Sequence, residues 1–75
     1  PEAPFSILHP SDHLFVITGK EVLARYARIN LSDDQGVAQL INYLSRLGVD
    51  EALKQKGAKE GDTVRIQDFE FEYYD

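Results

Sequence analysis

Gly57-Ala58-Lys59-Glu60-Gly61-Asp62-Thr63-Val64-Arg65-Ile66-Gln67-Asp68-Phe69-Glu70-Phe71-Glu72 decides the fold, because apolar and polar residues alternate on both sides of a short polar break. Pairing Ile66 with Phe69 and Val64 with Phe71 around a tight turn at Gln67-Asp68 places every apolar side chain on one face of a hairpin. The same register sets Arg65 opposite Glu70 on the other face, an opposite-charge pair worth about 0.2 to 1 kcal/mol. A slip of one residue would turn Glu70 and Glu72 toward the core, so the pattern specifies its own register. Ahead of the hairpin, Gly57 is placed to stop a helix and Gly61 to let the chain turn before Asp62.

Working back from this hairpin, Val37, Leu40, Ile41, Leu44 and Leu47 recur at helical spacing and predict one buried stripe. Ser32-Asp33-Asp34-Gln35 reads as a capping box at its start, and Gly48 as a left-handed cap at its end. Asp50 then caps a short helix from Glu51 to Lys56, which carries acid at its beginning and lysine at its end. An earlier helix is predicted over Glu21 to Arg28 from the spacing of Val22, Leu23 and Tyr26. Before it, Phe5-Ser6-Ile7-Leu8 and Leu14-Phe15-Val16-Ile17 read as a hairpin around His9-Pro10-Ser11-Asp12, with Phe5 facing Ile17 and Ile7 facing Phe15. The resulting order is ββαααββ, a small α+β domain whose two hairpins form or share an antiparallel sheet covered by helices.

Composition narrows the function classes. A chain of 75 residues is one domain, and at this size folding buries only about 60% of the unfolded surface. There is no cysteine, hence no disulfide or thiolate ligand. The net charge of -5 argues against direct nucleic-acid binding, which normally relies on a basic patch. No apolar run has the length of a membrane span, so no membrane association is expected. A chain that begins at Pro1 and lacks methionine reads as a segment of a longer one, with residues 1–4 a linker remnant and residues 5–75 the domain.

Candidate chemistry is sparse. Gly19-Lys20 is not a phosphate loop, which would need glycine in place of Leu14 and serine or threonine in place of Glu21. His9 and His13, facing each other across the first hairpin beside Asp12, would make an incomplete metal site. Asp62, Asp68, Glu70, Glu72 and Asp75 could suggest acid–base work, but catalysis needs burial or a close like charge to move a pKa, and Glu70 and Glu72 alternate outward on a strand. Glu70 and Glu72 instead keep an aromatic strand soluble. Phe69, Phe71 and Tyr73 read as core, leaving Arg65 and Tyr74 on the opposite face as candidate partner contacts. No catalytic, cofactor-binding or metal residue is therefore assigned. Gly48, Gly57, Gly61, Asp62, Phe69 and Phe71 are assigned as structural motif residues.

A family likeness adds to this. Leu47-Gly48-Val49-Asp50-Glu51-Ala52-Leu53, Gly57 to Ile66 and Asp68-Phe69-Glu70-Phe71-Glu72 resemble the helix-break-helix, the glycine-bounded turn and strand, and the closing strand of the C-terminal domain of Obg-family GTPases. The likeness runs from Phe5 to Tyr74 and includes Ile17-Thr18-Gly19-Lys20. It departs at Gln67, where the family usually has glycine, so local strain or a different turn is expected there. The resemblance implies a cytoplasmic GTP-binding parent with a glycine-rich N-terminal domain and a central GTPase domain, linked to large ribosomal subunit assembly, growth control and stress signalling. GTP and Mg would belong to that parent alone. By the same resemblance this domain would be a non-catalytic regulatory module. Its partners would be the GTPase domain of the same chain and the large ribosomal subunit or a stress regulator. The alternative is a ribosome-associated RNA- or protein-docking module without effect on GTP hydrolysis.

Overall fold

The computed structural model describes residues 3–75, so residues 1 and 2 of the expected linker lie outside the described residues. The elements are β1 (Ser6–Ser11), β2 (Leu14–Thr18), α1 (Lys20–Tyr26), α2 (Asp34–Leu47), α3 (Val49–Gln55), β3 (Thr63–Ile66) and β4 (Phe69–Glu72). The order is thus ββαααββ in an α+β domain. The four strands form one sheet in the order β1-β2-β3-β4. Both hairpins are antiparallel, but β2 and β3 meet in parallel, with Phe15 opposite Val64, so the sheet is mixed and not wholly antiparallel. The reason is the connection between them: three helices form the long crossover that a parallel pair requires.

The β3–β4 register is the one that the alternation dictates, with Ile66 opposite Phe69, Arg65 opposite Glu70 and Val64 opposite Phe71. Its turn places Gln67, which has a Cβ, at φ 53. That is the strain expected where glycine is missing. The first hairpin differs from expectation. Ile7 pairs with Ile17 and Leu8 with Val16, a shift of two residues from the predicted pairing. Because strand faces repeat every two residues, the shift keeps Ile7, Phe15 and Ile17 on the core side. The strand also runs through His9-Pro10-Ser11 and turns later, at Asp12-His13, with a register irregularity between Leu8 and Ser11. Pro10 is tolerated there because β1 is an edge strand.

The helices form a single layer on one side of the sheet. Ile7, Phe15, Ile17, Val64, Ile66 and Tyr73 pack with Val22, Leu40, Leu44, Val49 and Leu53 in one cluster, and Phe69 and Phe71 lie against it. α1 ends earlier than predicted, at Tyr26, and continues as tight turns in which Arg28 N donates to Arg25 O and Ile29 N to Tyr26 O. At its start it has no side-chain cap. Instead Val22 N donates to the Pro4 carbonyl at 3.2 Å, so the incoming chain supplies the missing acceptor.

Two predicted caps fall elsewhere. Asp33, not Ser32, caps α2, its Oδ1 accepting from Gly36 N at 2.9 Å. Both the amide and the hydroxyl of Ser32 donate to Asn30 Oδ1, which holds Ser32 outside the helix. α3 begins at Val49 directly after Gly48, so Asp50 sits in its first turn and does not cap it. Gly48, Gly57 and Gly61 all have positive φ. The buried stripe of α2 is rotated from the predicted one: Gly36, Leu40 and Leu44 are buried while Ile41 is exposed. Gly36 lies on the buried line because its bare Cα packs against the Asn30 carbonyl.

An added Cβ at Gly36 would stand 1.5 Å from Asn30 O. Gly36→Ala is therefore expected to destabilise the domain by about 3 kcal/mol, the upper range for forced overpacking, measured as the shift in urea midpoint. Gln67→Gly should act in the opposite direction. Relief of a left-handed residue, about 1 to 2 kcal/mol, exceeds the backbone entropy that glycine loses, so a net gain of about 0.5 to 1 kcal/mol is expected. An unchanged or lower midpoint would show that Gln67 is not strained.

Candidate functional site

Among the described residues, no helix lies over one face of the sheet. Strand alternation places Leu8, Val16, Arg65 and Glu70 in a row across all four strands, with Leu14, Thr63 and Glu72 in the next row. Leu8, Leu14 and Val16 lie outside the core cluster, and Leu8 is 52% exposed. The face therefore grades from apolar on β1 and β2 to charged on β3 and β4.

Arg65 and Tyr74 lie on this same side and are tied to its acids. Arg65 Nε and Nη2 both reach Glu70 Oε2 at 2.8 Å, while Tyr74 Oη donates to Glu72 Oε1 at 2.5 Å. The carboxylate bond holds the Tyr74 phenol above its ordinary pKa. Tyr74 remains exposed despite it. Both ion-paired side chains are largely solvated, so their pairing orients them more than it stabilises the fold. Phe69, Phe71 and Tyr73 face the helices, which excludes them from a stacking platform. The sequence assigns Leu8 and Val16 no role, because Val16 only makes the alternation imperfect and whether the second face of a strand is covered depends on the number of layers.

The second feature is at one end of the sheet. Asp62 is buried, and its carboxylate accepts from Lys59 N at 3.0 Å and contacts His13 Nδ1 at 2.9 Å. The Lys59 amide first, and His13 next, hold its pKa below the ordinary aspartate value. Next to it, Thr63 N donates to His13 O at 2.7 Å and Tyr73 N to Asp62 O at 2.8 Å. His9 stacks on Phe15 with ring centroids 4.0 Å apart, although it lines the same cleft as Asp12, His13 and Asp62. The two imidazoles thus go to different partners, and the described residues contain no cluster of three or more metal-ligating side chains. The sequence carries no local signal for the His13–Asp62 contact, whose members are 49 residues apart.

Gly19 packs against the chain itself, where an added Cβ would come within 2.9 Å of Phe5 Cα. Its backbone is not available as a phosphate cradle. On the helical side, Arg25 stacks over the Tyr43 ring at 5.3 Å in a shallow cleft shared with Glu21, Ala24 and Arg28. No helix among the described residues is long and apolar enough to cross a membrane.

The fold and exposed face define a small two-layer α+β module, with no catalytic group assembled among the described residues. Residues 5–73 match the family described as "Domain of unknown function (DUF1967)". The chain is 39% identical over 74 residues to the GTPase Obg of Geobacillus thermodenitrificans, covering 99% of this chain and 17% of the relative. Coverage is the same for the GTPase Obg of Bacillus pumilus, at 40% identity, and that of Streptococcus thermophilus, at 39%. The chain belongs to the DUF1967 family, the C-terminal domain of Obg GTPases, and does not contain their GTPase domain.

Asp62 makes the fold acid-sensitive in a defined direction. Its folded pKa is lowered, so its contribution is present above the ordinary aspartate value of 3.8 and is lost as pH falls through that value toward the folded one. Asp62→Asn should lower the urea midpoint at neutral pH and flatten the remaining decline between about pH 5 and pH 2 relative to the wild type. Parallel pH curves for the two proteins would refute the role assigned to this carboxylate.

Proposed function

We propose that this chain is a non-catalytic regulatory module of an Obg-family GTP-binding protein, acting through protein contacts on the open face of its sheet. The observation that carries this reading is that face. A single helical layer leaves Leu8 and Tyr74 exposed, with Arg65, Glu70 and Glu72 held in orientation between them. A sheet with one side covered by helices and an apolar-to-charged opposite side suits a protein partner. The partners considered are the GTPase domain of the parent chain, the large ribosomal subunit and a stress regulator.

The relatives are named as GTPases, and this chain spans 17% of their length. In the parent, GTP and Mg would be held by the separate GTPase domain, in the cytoplasm, during large-subunit assembly and growth control. This module would act by binding one conformation of the parent more tightly than another, since equal binding shifts no equilibrium. Direct RNA contact is disfavoured by the net charge of -5 and by the two carboxylates on the exposed face.

The test compares the full-length parent with a version lacking this domain, following GTP hydrolysis and salt-dependent co-sedimentation with large ribosomal subunits. Removal is expected to change the hydrolysis rate without ribosomes present. A change in co-sedimentation alone would replace regulation by docking. No change in either measurement would overturn both.

A further inference from the structure

Resting on the partner-binding reading, we propose that the open face of the sheet receives a basic, amphipathic protein segment. Its apolar side chains cover Leu8, Leu14 and Val16, and its lysines or arginines meet Glu70 and Glu72. The apolar half of the footprint comes from β1 and β2, whose outward residues stay outside the core cluster. The charged half comes from β4, the opposite edge of the same sheet.

Charge decides the occupant. Residues 59–75 contain six carboxylates, Glu60, Asp62, Asp68, Glu70, Glu72 and Asp75, against only Lys59 and Arg65, so they hold most of the chain's net charge of -5. Asp62 is buried and engaged with His13 and Lys59, and Asp75 lies 3.9 Å from Lys54 Nζ of α3, but Asp68, Glu70 and Glu72 are exposed on or beside β4. Arg65 does not neutralise this edge, because its single charge is used on Glu70. A partner covering Leu8 and Val16 also extends over this acidic margin. Glu70 is compensated by Arg65 whereas Glu72 accepts only from a neutral phenol, so the margin keeps a net negative charge that a partner with cations on that side would meet.

A second copy fits poorly when its two-fold axis runs across the strands, since that pairing sets one β4 margin against the other. RNA fits poorly for the same electrostatic reason. The geometry suits a short segment. Residues two apart along one strand, such as Glu70 and Glu72 of β4, are separated by about 6.6 Å, near the spacing of adjacent cations on one side of a helix or strand.

The experiment titrates the isotopically labelled 75-residue chain with a synthetic leucine–lysine amphipathic peptide and with its leucine–glutamate counterpart. Amide shifts are mapped by NMR. The basic peptide should perturb residues around Leu8, Val16, Arg65 and Glu70, and the acidic one should not. The paired change Glu70→Lys and Glu72→Lys is expected to weaken binding about tenfold, the scale of losing two charge contacts. Glu70→Gln with Glu72→Gln provides a gentler variant that keeps the side-chain shape, and it should weaken binding in the same direction. Leu8→Ser should weaken it about threefold to tenfold, as loss of a partly buried apolar contact.

Asp50→Lys with Glu51→Lys makes the same charge change on α3 and reports general attraction. If that control weakens binding as much as the β4 variants, or if Leu8→Ser has no effect, the assignment of this face is overturned. Shifts centred on the helical side would overturn it as well. So would the same shifts appearing with chain concentration alone, which would mean a second copy, or with a short oligouridylate, which would mean RNA. These outcomes leave the deletion test of the parent independent: hydrolysis can depend on the domain through another surface even if this face binds nothing basic.

Discussion

Asp62, through its buried carboxylate and its backbone, ties the loop before β3 to the turn of the first hairpin and to the end of β4. It receives the Lys59 amide from the loop before β3 and contacts His13 from the turn of the first hairpin. Its own carbonyl takes the Tyr73 amide from the end of β4, and the following amide, Thr63 N, donates to His13 O. These bonds set the start of β3 beside the start of β2, from which the parallel pairing of Leu14 with Thr63 and Phe15 with Val64 follows. Joined in one sheet, the two hairpins escape the marginal stability of isolated two-stranded ribbons in water.

Once the four strands share one sheet, the crossover must return over a single side. α1, α2 and α3 therefore bury Val22, Leu40, Leu44, Val49 and Leu53 against the same face. The opposite face is left with the residues that alternation sends there. Its exposed leucine and paired charges are thus consequences of having one helical layer, and they supply the surface through which the module can act. The incoming chain is also part of this arrangement, because the Pro4 carbonyl completes the start of α1 and Phe5 packs on Gly19.

Local patterns were legible in proportion to how completely they restricted register. The β3–β4 hairpin was readable to the residue, since any one-step slip would bury Glu70 and Glu72. The first hairpin was readable only to the face. Ile7, Phe15 and Ile17 identify the buried side, but shifting by two residues leaves that side unchanged, and nothing in Ser6 to Ser11 penalises it. In α2 the apolar stripe established a helix, yet its buried line includes Gly36, packed against the 30–31 loop, and leaves out Ile41. The Asn30 side chain likewise took Ser32 out of competition for the cap, a preference that depends on a turn just upstream. Of the exposed face, Arg65, Glu70 and Tyr74 were readable from alternation. Leu8 and Val16 were not.

By itself the sequence determined the element order, the sides of each hairpin, the closing register and the Obg-family likeness, because these rest on short-range periodicity and contiguous motifs. Only the tertiary structure decided that the hairpins join in parallel, that His13 meets Asp62 and that one face of the sheet stays open. Those outcomes depend on groups that are far apart along the chain and come together when the helical crossover packs. Periodicity records which side of an element avoids water; it does not record which neighbour removes the water.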